Sequence, residues 1–213
     1  MSIELRTYSF IDSLQPQVAS FISTVARGFL PLEHQASLFI EVAPGMSIEQ
    51  VTDVVLKNTD AIPGMQVVER AFGLLEIHHE DQGMVRAAGE AALKFFQLQE
   101  SDRLAPRIVS SQVITGIDNH HSALLNRMRH GNMIFEGQTL YLLEVHPAGY
   151  AAIAANEAEK AAKVEVMEII TFGAFGRLWL AGDEENINQA RESIENVLST
   201  FQGRENKGSS ATY

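Results

Sequence analysis

Hydrophobic and polar positions alternate along this chain in two rhythms, and the order of those rhythms is run through twice. Residues 5–11 and 108–114 carry apolar, Thr and Ser side chains in the spacing of a strand. Each is followed by a helical pattern, over 15–26 and 119–128, ending near Gly28 and Gly131, which suit helix ends. Strands follow at 37–42 and 140–145, then helices at 47–57 and 150–163. The second of these helices is so rich in alanine that close packing against a sheet is expected. Two short strands come next in each half, 66–68 with 72–77 and 164–169 with 175–180; a last helix closes each half, at 83–96 and 187–201. The predicted unit is a mixed, mainly antiparallel sheet with helices on one face, an α+β arrangement.

The recurrence extends to residue identity. Sliding the sequence by 103 residues puts Ala71-Phe72-Gly73 on Ala174-Phe175-Gly176, Glu41-Val42 on Glu144-Val145 and Pro44 on Pro147. The same shift brings Lys57 onto Lys160, Leu75 onto Leu178, Gly28 onto Gly131 and Glu33 onto Glu136. One constant offset carrying clustered matches along nearly the whole chain is the mark of a repeated structural unit. It divides the chain into two domains, residues 1–102 and 104–203, joined by the polar stretch 97–103. Residues 204–213 have little apolar content and are expected to form a mobile tail.

Composition narrows the function classes. With 46% apolar residues and six prolines in 213, the chain can bury a core in each copy. A net charge of −11 argues against nucleic acid or an anionic membrane as partner. The lack of cysteine excludes disulfides, thiolate metal sites and thiol catalysis. Met1-Ser2-Ile3-Glu4-Leu5-Arg6 has no basic region followed by an apolar run, and no stretch of about 18 apolar residues exists. The expectation is a soluble, acidic, intracellular protein.

Candidate chemistry is sparse. His78-His79-Glu80-Asp81 invites a metal reading, but adjacent strand residues point to opposite faces, so a turn after a strand is the simpler expectation. His120-His121 at a helix start takes the same discount. Ser110-Ser111 lacks the sharp nucleophile turn, and Phe172-Gly173-Ala174-Phe175-Gly176 opens no helix, so it is no dinucleotide fingerprint. Phe72, Phe175 and Trp179 read as core or interface residues. No cofactor, metal or enzymatic constellation is expected.

Residues 140–198 resemble the bacterial microcompartment shell domain. The matching features are a strand ending in Glu144, a small-residue helix bearing Lys160, two strands, and Gly182-Asp183 before a final helix. Residues 37–96 carry the same frame. Because a strand and a helix precede that core in each half, the domain looks circularly permuted, and two such copies resemble the tandem-domain, trimer-forming shell proteins. Three stretches are similar to the carboxysome members of that group: residues 4–15, Val68-Glu69-Arg70, and Ala154-Ala155-Asn156-Glu157-Ala158-Glu159-Lys160-Ala161-Ala162. The resemblance implies ferredoxin-like domains, a non-enzymatic shell role, and a homotrimer that imitates a hexagonal tile among neighbouring hexameric shell proteins. It also implies a central pore that opens and closes, and trimers that stack face to face around a chamber. Pore and gate residues would be Glu69, Arg70, Phe172 and Gly173. Lys57 and Lys160, otherwise solvated lysines near helix ends, would be tile-edge contacts.

Physics suits that role. Three chains of two copies make six wedges with three-fold symmetry, so the loops at the axis need not be alike. At aligned positions the first copy has Glu69-Arg70 and the second Phe172-Gly173. Like charges converging in a poorly hydrated channel repel unless they pair, so the Glu-Arg loops either plug the hole together or swing away. Gly173 lends the opposite loop freedom for both arrangements. Guanidinium groups match phosphate oxygens, so the expected cargo is anionic, such as ribulose bisphosphate and phosphoglycerate. Two alternatives remain open: a metabolosome shell with other metabolites, and a duplicated ferredoxin-like regulator that binds an anionic effector.

Overall fold

The computed structural model describes residues 3–207. The first copy runs β1 (Glu4–Ile11), α1 (Pro16–Val25), β2 (Ala36–Ala43), α2 (Ile48–Asn58), β3 (Ile62–Glu69), β4 (Phe72–His79) and α3 (Gln82–Phe96). The second repeats it as β5 (Arg107–Ile114), α4 (Asn119–Met128), β6 (Thr139–His146), α5 (Tyr150–Ala161), β7 (Glu165–Ile170), β8 (Gly176–Gly182) and α6 (Glu184–Thr200). Each copy builds a four-stranded sheet, ordered β1-β2-β4-β3 and β5-β6-β8-β7. Every ladder is antiparallel rather than mixed. The parallel pairing among the described residues is an isolated bridge between Leu104 and Arg204.

Strand β3 is longer than its apolar pattern suggests, because Pro63 and Gly64 interrupt the signal. An edge strand tolerates both, and the ladder absorbs them in a bulge between Pro63 and Met65. Side chains alternate across β2. Leu38, Ile40 and Val42 pack with Ile48, Val51 and Val55 of α2 and Val85, Ala88 and Ala92 of α3. Helix α1 does not join them. Its Val18, Phe21 and Ile22 enter a core shared with Ala151, Ala155, Val164 and Val166 of the second copy. The first copy thus keeps a core of its own, as expected, but α1 departs from helices on one face: a second apolar cluster runs through the seam between the copies.

Two glycine pairs explain part of the repeat. A Cβ on Gly73 would collide with Gly45 O and Ile48, and one on Gly176 with Ala148 O and Ala151. The chain entering α2 or α5 therefore lies directly on the strand, which fixes glycine in both Ala-Phe-Gly motifs. Gly28 and Gly131 are not helix caps as expected. Helix α1 ends through Ala26 and α4 through Arg129, both extended. Instead the Gly28 amide donates to Gly64 O at 3.0 Å and the Gly131 amide to Met167 O at 2.9 Å, a backbone approach that excludes a side chain.

The segment expected to be a mobile tail starts anchored. Arg204 Nε donates to Asp102 O at 2.7 Å, and Asn206 Nδ2 donates to Ala105 O and His146 O at 2.8 Å. Residues 208–213 lie outside the described residues. Among the described residues no helix is long and apolar enough to cross a membrane.

Candidate pore loops and the seam between copies

The β3–β4 connection is tight: Glu69 pairs with Phe72 across the ladder, leaving Arg70 and Ala71 at the tip with Arg70 at φ +52°. Arg70 is 92% exposed and its Nε lies 3.7 Å from Glu69 Oε1. A surface pair of that kind is worth about 0–1 kcal/mol, so it leaves both side chains free to exchange partners. The matching β7–β8 loop spans residues 171–175, with Gly173 at φ +94°. The fold brings the two diverged loops together across the seam: a Cβ on Gly173 would sit 3.7 Å from Glu69 Cγ.

Beneath them lies a cleft of about 800 Å³ between β3 and β7, whose wall includes Val68, Phe172, Arg27 and His130. Arg27 and His130 are 103 residues apart, so equivalent positions of both copies place a basic side chain on one cleft. The His130 ring and backbone amide are held by the buried Glu168, at 3.0 and 2.8 Å. The sequence reading missed this pair, although the repeat offset was a signal for it.

The lysines are elsewhere. Lys57 Nζ pairs with Asp53 on its own helix at 2.8 Å, well exposed. Lys160 Nζ sits between Glu157 at 3.5 Å and Asp12 of the first copy at 3.8 Å. Neither lysine lines the cleft, so the structure groups the four loop residues and leaves the lysines at helix ends.

A buried charge network crosses the seam. Glu41 Oε1 accepts from Arg6 Nε at 3.0 Å, and its Oε2 accepts from Thr7 Oγ1 at 3.0 Å and from the Gly149 amide at 3.1 Å. Burial pushes the Glu41 carboxyl above its ordinary value, against the pull of Arg6 and these hydrogen bonds. Glu144, its equivalent, accepts from Arg177 Nε at 3.0 Å and is more exposed. Glu159 caps α1 by accepting from the Gln17 and Val18 amides at 2.9 and 3.0 Å.

The seam leaves a matching face bare. Phe21 of α1 is 3% exposed against the second copy, whereas its equivalent on α4, Leu124, is 57% exposed, and Met128 is 65%. Helix α4 thus presents the face that α1 buries.

The histidine expectations need one correction. His78 lies inside β4 rather than in a turn, buried, with Nδ1 3.3 Å from Glu76, which also accepts from Ser37 Oγ at 2.6 Å. Its polar neighbours hold it in the strand, and the second copy has Leu140, Trp179 and Ala181 at these positions. His120 is exposed in the first turn of α4, its amide donating to Asp118. Among the described residues no three His, Asp or Glu side chains converge as a metal site.

Comparison with known proteins gives one answer. The family model described as the CsoS1D N-terminal domain matches residues 5–102. The chain is 49% identical to the carboxysome shell protein CcmP of Synechococcus elongatus, covering 98% of each. It is 46% identical to the carboxysome shell protein CsoS1D of Hydrogenovibrio crunogenus, covering 92% of this chain and 96% of that one. Among solved structures it is similar to the fused permuted hexameric shell protein MSM0275 from the RMM microcompartment. The TM-score is 0.91 at 46% identity, over 94% of this chain and 98% of that one. The double ringed trimeric shell protein MSM0271 from the same microcompartment gives a TM-score of 0.92 at 40% identity, over 96% and 100%.

Proposed function

Because the chain belongs to the family of tandem-domain carboxysome shell proteins, we propose that it closes as a trimer into a six-wedged tile of the carboxysome shell, around a gated pore for anionic metabolites. The role is structural rather than enzymatic. The observation that carries the gate is the meeting of unlike loops: Glu69-Arg70 of one copy stands against Gly173 of the other. Three such junctions around an axis alternate charged and uncharged loops. Paired, the charges close the hole; released, they leave Arg70 free for phosphate or carboxylate groups. The cleft wall sets the Arg27 guanidinium below the loops, with His130 and Glu168 bound to each other on the same wall. Ribulose bisphosphate and phosphoglycerate fit that chemistry.

Ring closure follows from repeating the seam. Within the chain α1 buries Phe21 and Glu41 receives the Gly149 amide. The same step between chains buries Leu124 and Met128 and sets Glu144 beside Met46 of the partner subunit, the positions 103 away. Stacking has its own support. Leu30 and Leu32, and their equivalents Met133 and Phe135, are all exposed. The first pair already has the neighbour on its α1 side and the second pair the neighbour on its β7 side, so ring closure covers neither. Six such apolar spots on a tile suit a second tile. Lys57 and Lys160 are proposed as contacts to neighbouring hexagonal tiles.

Electron cryo-microscopy of the assembled protein tests the gate. Rings with Glu69 and Arg70 at the three-fold axis are expected, with a larger open fraction in a Glu69→Ala, Arg70→Ala variant. Rings holding these residues away from the axis would overturn the reading. A second reading, a shell tile of another microcompartment, draws on the 46% identity to MSM0275; finding Rubisco and carbonic anhydrase genes beside this one would favour the carboxysome.

A further inference from the structure

His146 stands where the seam meets the loops. It ends β6, and its Nε2 lies 3.1 Å from Arg6 Nη2 of the first copy. Its ring packs edge-on against Phe175, centroids 6.2 Å apart. Arg6 in turn stacks over Phe72, 3.5 Å from the ring centroid. Phe72 and Phe175 are the same residue of the two Ala-Phe-Gly motifs, two positions after Arg70 and Gly173 respectively. One side-chain contact therefore joins the roots of both loops.

The hydrogen-bond inventory fixes the protonation state. Arginine only donates, so His146 Nε2 must accept and carries no proton. Asn206 Nδ2 donates to Ala105 O and His146 O, which turns Asn206 Oδ1 toward the ring, 2.9 Å from Nδ1. The imidazole is thus neutral with its proton on Nδ1. An imidazolium would aim an N–H at the Arg6 guanidinium at hydrogen-bond distance, with no acceptor between them. Glu41 anchors Arg6 from the other side at 3.0 Å, so the ring rather than the guanidinium must give way.

We propose that His146 is a positioning residue of the gate: neutral, it accepts a hydrogen bond from Arg6 and supports Phe175 at the root of the uncharged loop; protonated, it is driven off and releases that loop from Glu69. The proposal rests on reading the loops as a gate. The charges facing His146 are Arg6 and Glu4 on β1 and Arg107 on β5, and Glu4 is itself bound by Arg204 at 3.1 Å. Burial, then Arg6, hold the imidazole below its ordinary value of 6.5, with Arg107 acting the same way; Asn206 and Glu4 oppose them. A depressed histidine supports the folded arrangement above its unfolded value and loses that support as pH falls through its folded one. The loop is therefore held at neutral pH and freed on mild acidification. At the matching seam between chains the positions are Val109 and Ala43, so the device acts at three of the six seams.

Hydrogen–deuterium exchange of the assembled full chain at about pH 8 and about pH 5.5, corrected for intrinsic rates, tests this. Wild-type amides of residues 171–176 should lose protection severalfold at the lower pH, the direction set by the lowered imidazole. His146→Gln keeps an acceptor and a donor without titrating, and should hold the loop equally at both pH values. Arg6→Gln removes the opposing charge and should raise the midpoint of loosening toward 6.5. A pH response that survives in His146→Gln, or a midpoint unmoved in Arg6→Gln, would overturn the proposal. Light scattering at both pH values reports ring dissociation separately, and the Gln comparison at a single pH stands in either case. Loop exchange is read whether or not the loops surround a pore, so its failure and the failure of the axis geometry are distinct results.

Discussion

Gly173 faces Glu69 across the seam between the two copies, its backbone at φ +94° and its Cα open enough that a Cβ would rest 3.7 Å from Glu69 Cγ. Space is available there; backbone freedom is what the position requires. Gly173→Ala is therefore expected to strain the loop by about 1–2 kcal/mol. That should lower the melting temperature by about 2–8 °C. Gly182→Ala, where the nearest atom would be 3.5 Å away and φ is not positive, serves as the control and should change little. Equal melting of the two variants would remove the conformational argument.

The Ala-Phe-Gly motifs carry a packing prediction. Gly73→Ala drives a methyl group into Gly45 O and Ile48, and Gly176→Ala into Ala148 O and Ala151. Neither backbone neighbour can rotate away, so each change should cost about 1–3 kcal/mol. Urea unfolding measures this as a lower midpoint. A wild-type midpoint in either variant contradicts the close approach.

Helices α1 and α4 should respond differently to the same kind of change. Leu124→Glu and Met128→Glu place charge on an exposed face that folding of one chain does not need. They should yield folded monomers in sedimentation experiments. Phe21→Glu, at the equivalent position of α1, buries an unpaired charge in the shared core and should unfold the chain. Trimers that persist in both α4 variants would mean that this face is not the inter-chain seam.

Lys160→Asp replaces a cation flanked by Glu157 and Asp12 with a third carboxylate. Half-exposed pairs of this kind contribute little to folding, so trimers should remain. Ordered two-dimensional layers should be lost if this residue meets its counterpart on the next tile. Electron microscopy of layers shows the outcome, and unchanged layers would remove Lys160 from the tile edge.

How far the sequence reaches is visible residue by residue. The predicted helix over 119–128 coincides with α4, because its apolar spacing and the Asp118 cap are local. Strand β3 was legible only from 66 onward, since Pro63 and Gly64 hide an edge strand whose hydrogen bonds lie on one side. The divergence of Glu69-Arg70 from Phe172-Gly173 could be read by aligning the chain with itself. That the two loops touch could not, because the contact joins residues 104 positions apart by way of the seam.

The two-copy α+β plan, the order of elements and the places where the copies disagree are written in the order of residues. These are encoded in periodicity, in turn chemistry and in a fixed offset of 103. Tertiary structure alone decided that α1 crosses to the second copy and that Glu41 lies buried against Arg6 and Gly149. It also decided that His146 meets Arg6 while supporting Phe175. The reason is physical. A local pattern states which face of an element is apolar, but not which distant surface will cover it, and a hydrogen bond between residues 140 positions apart exists only once the packing on both sides has brought them together.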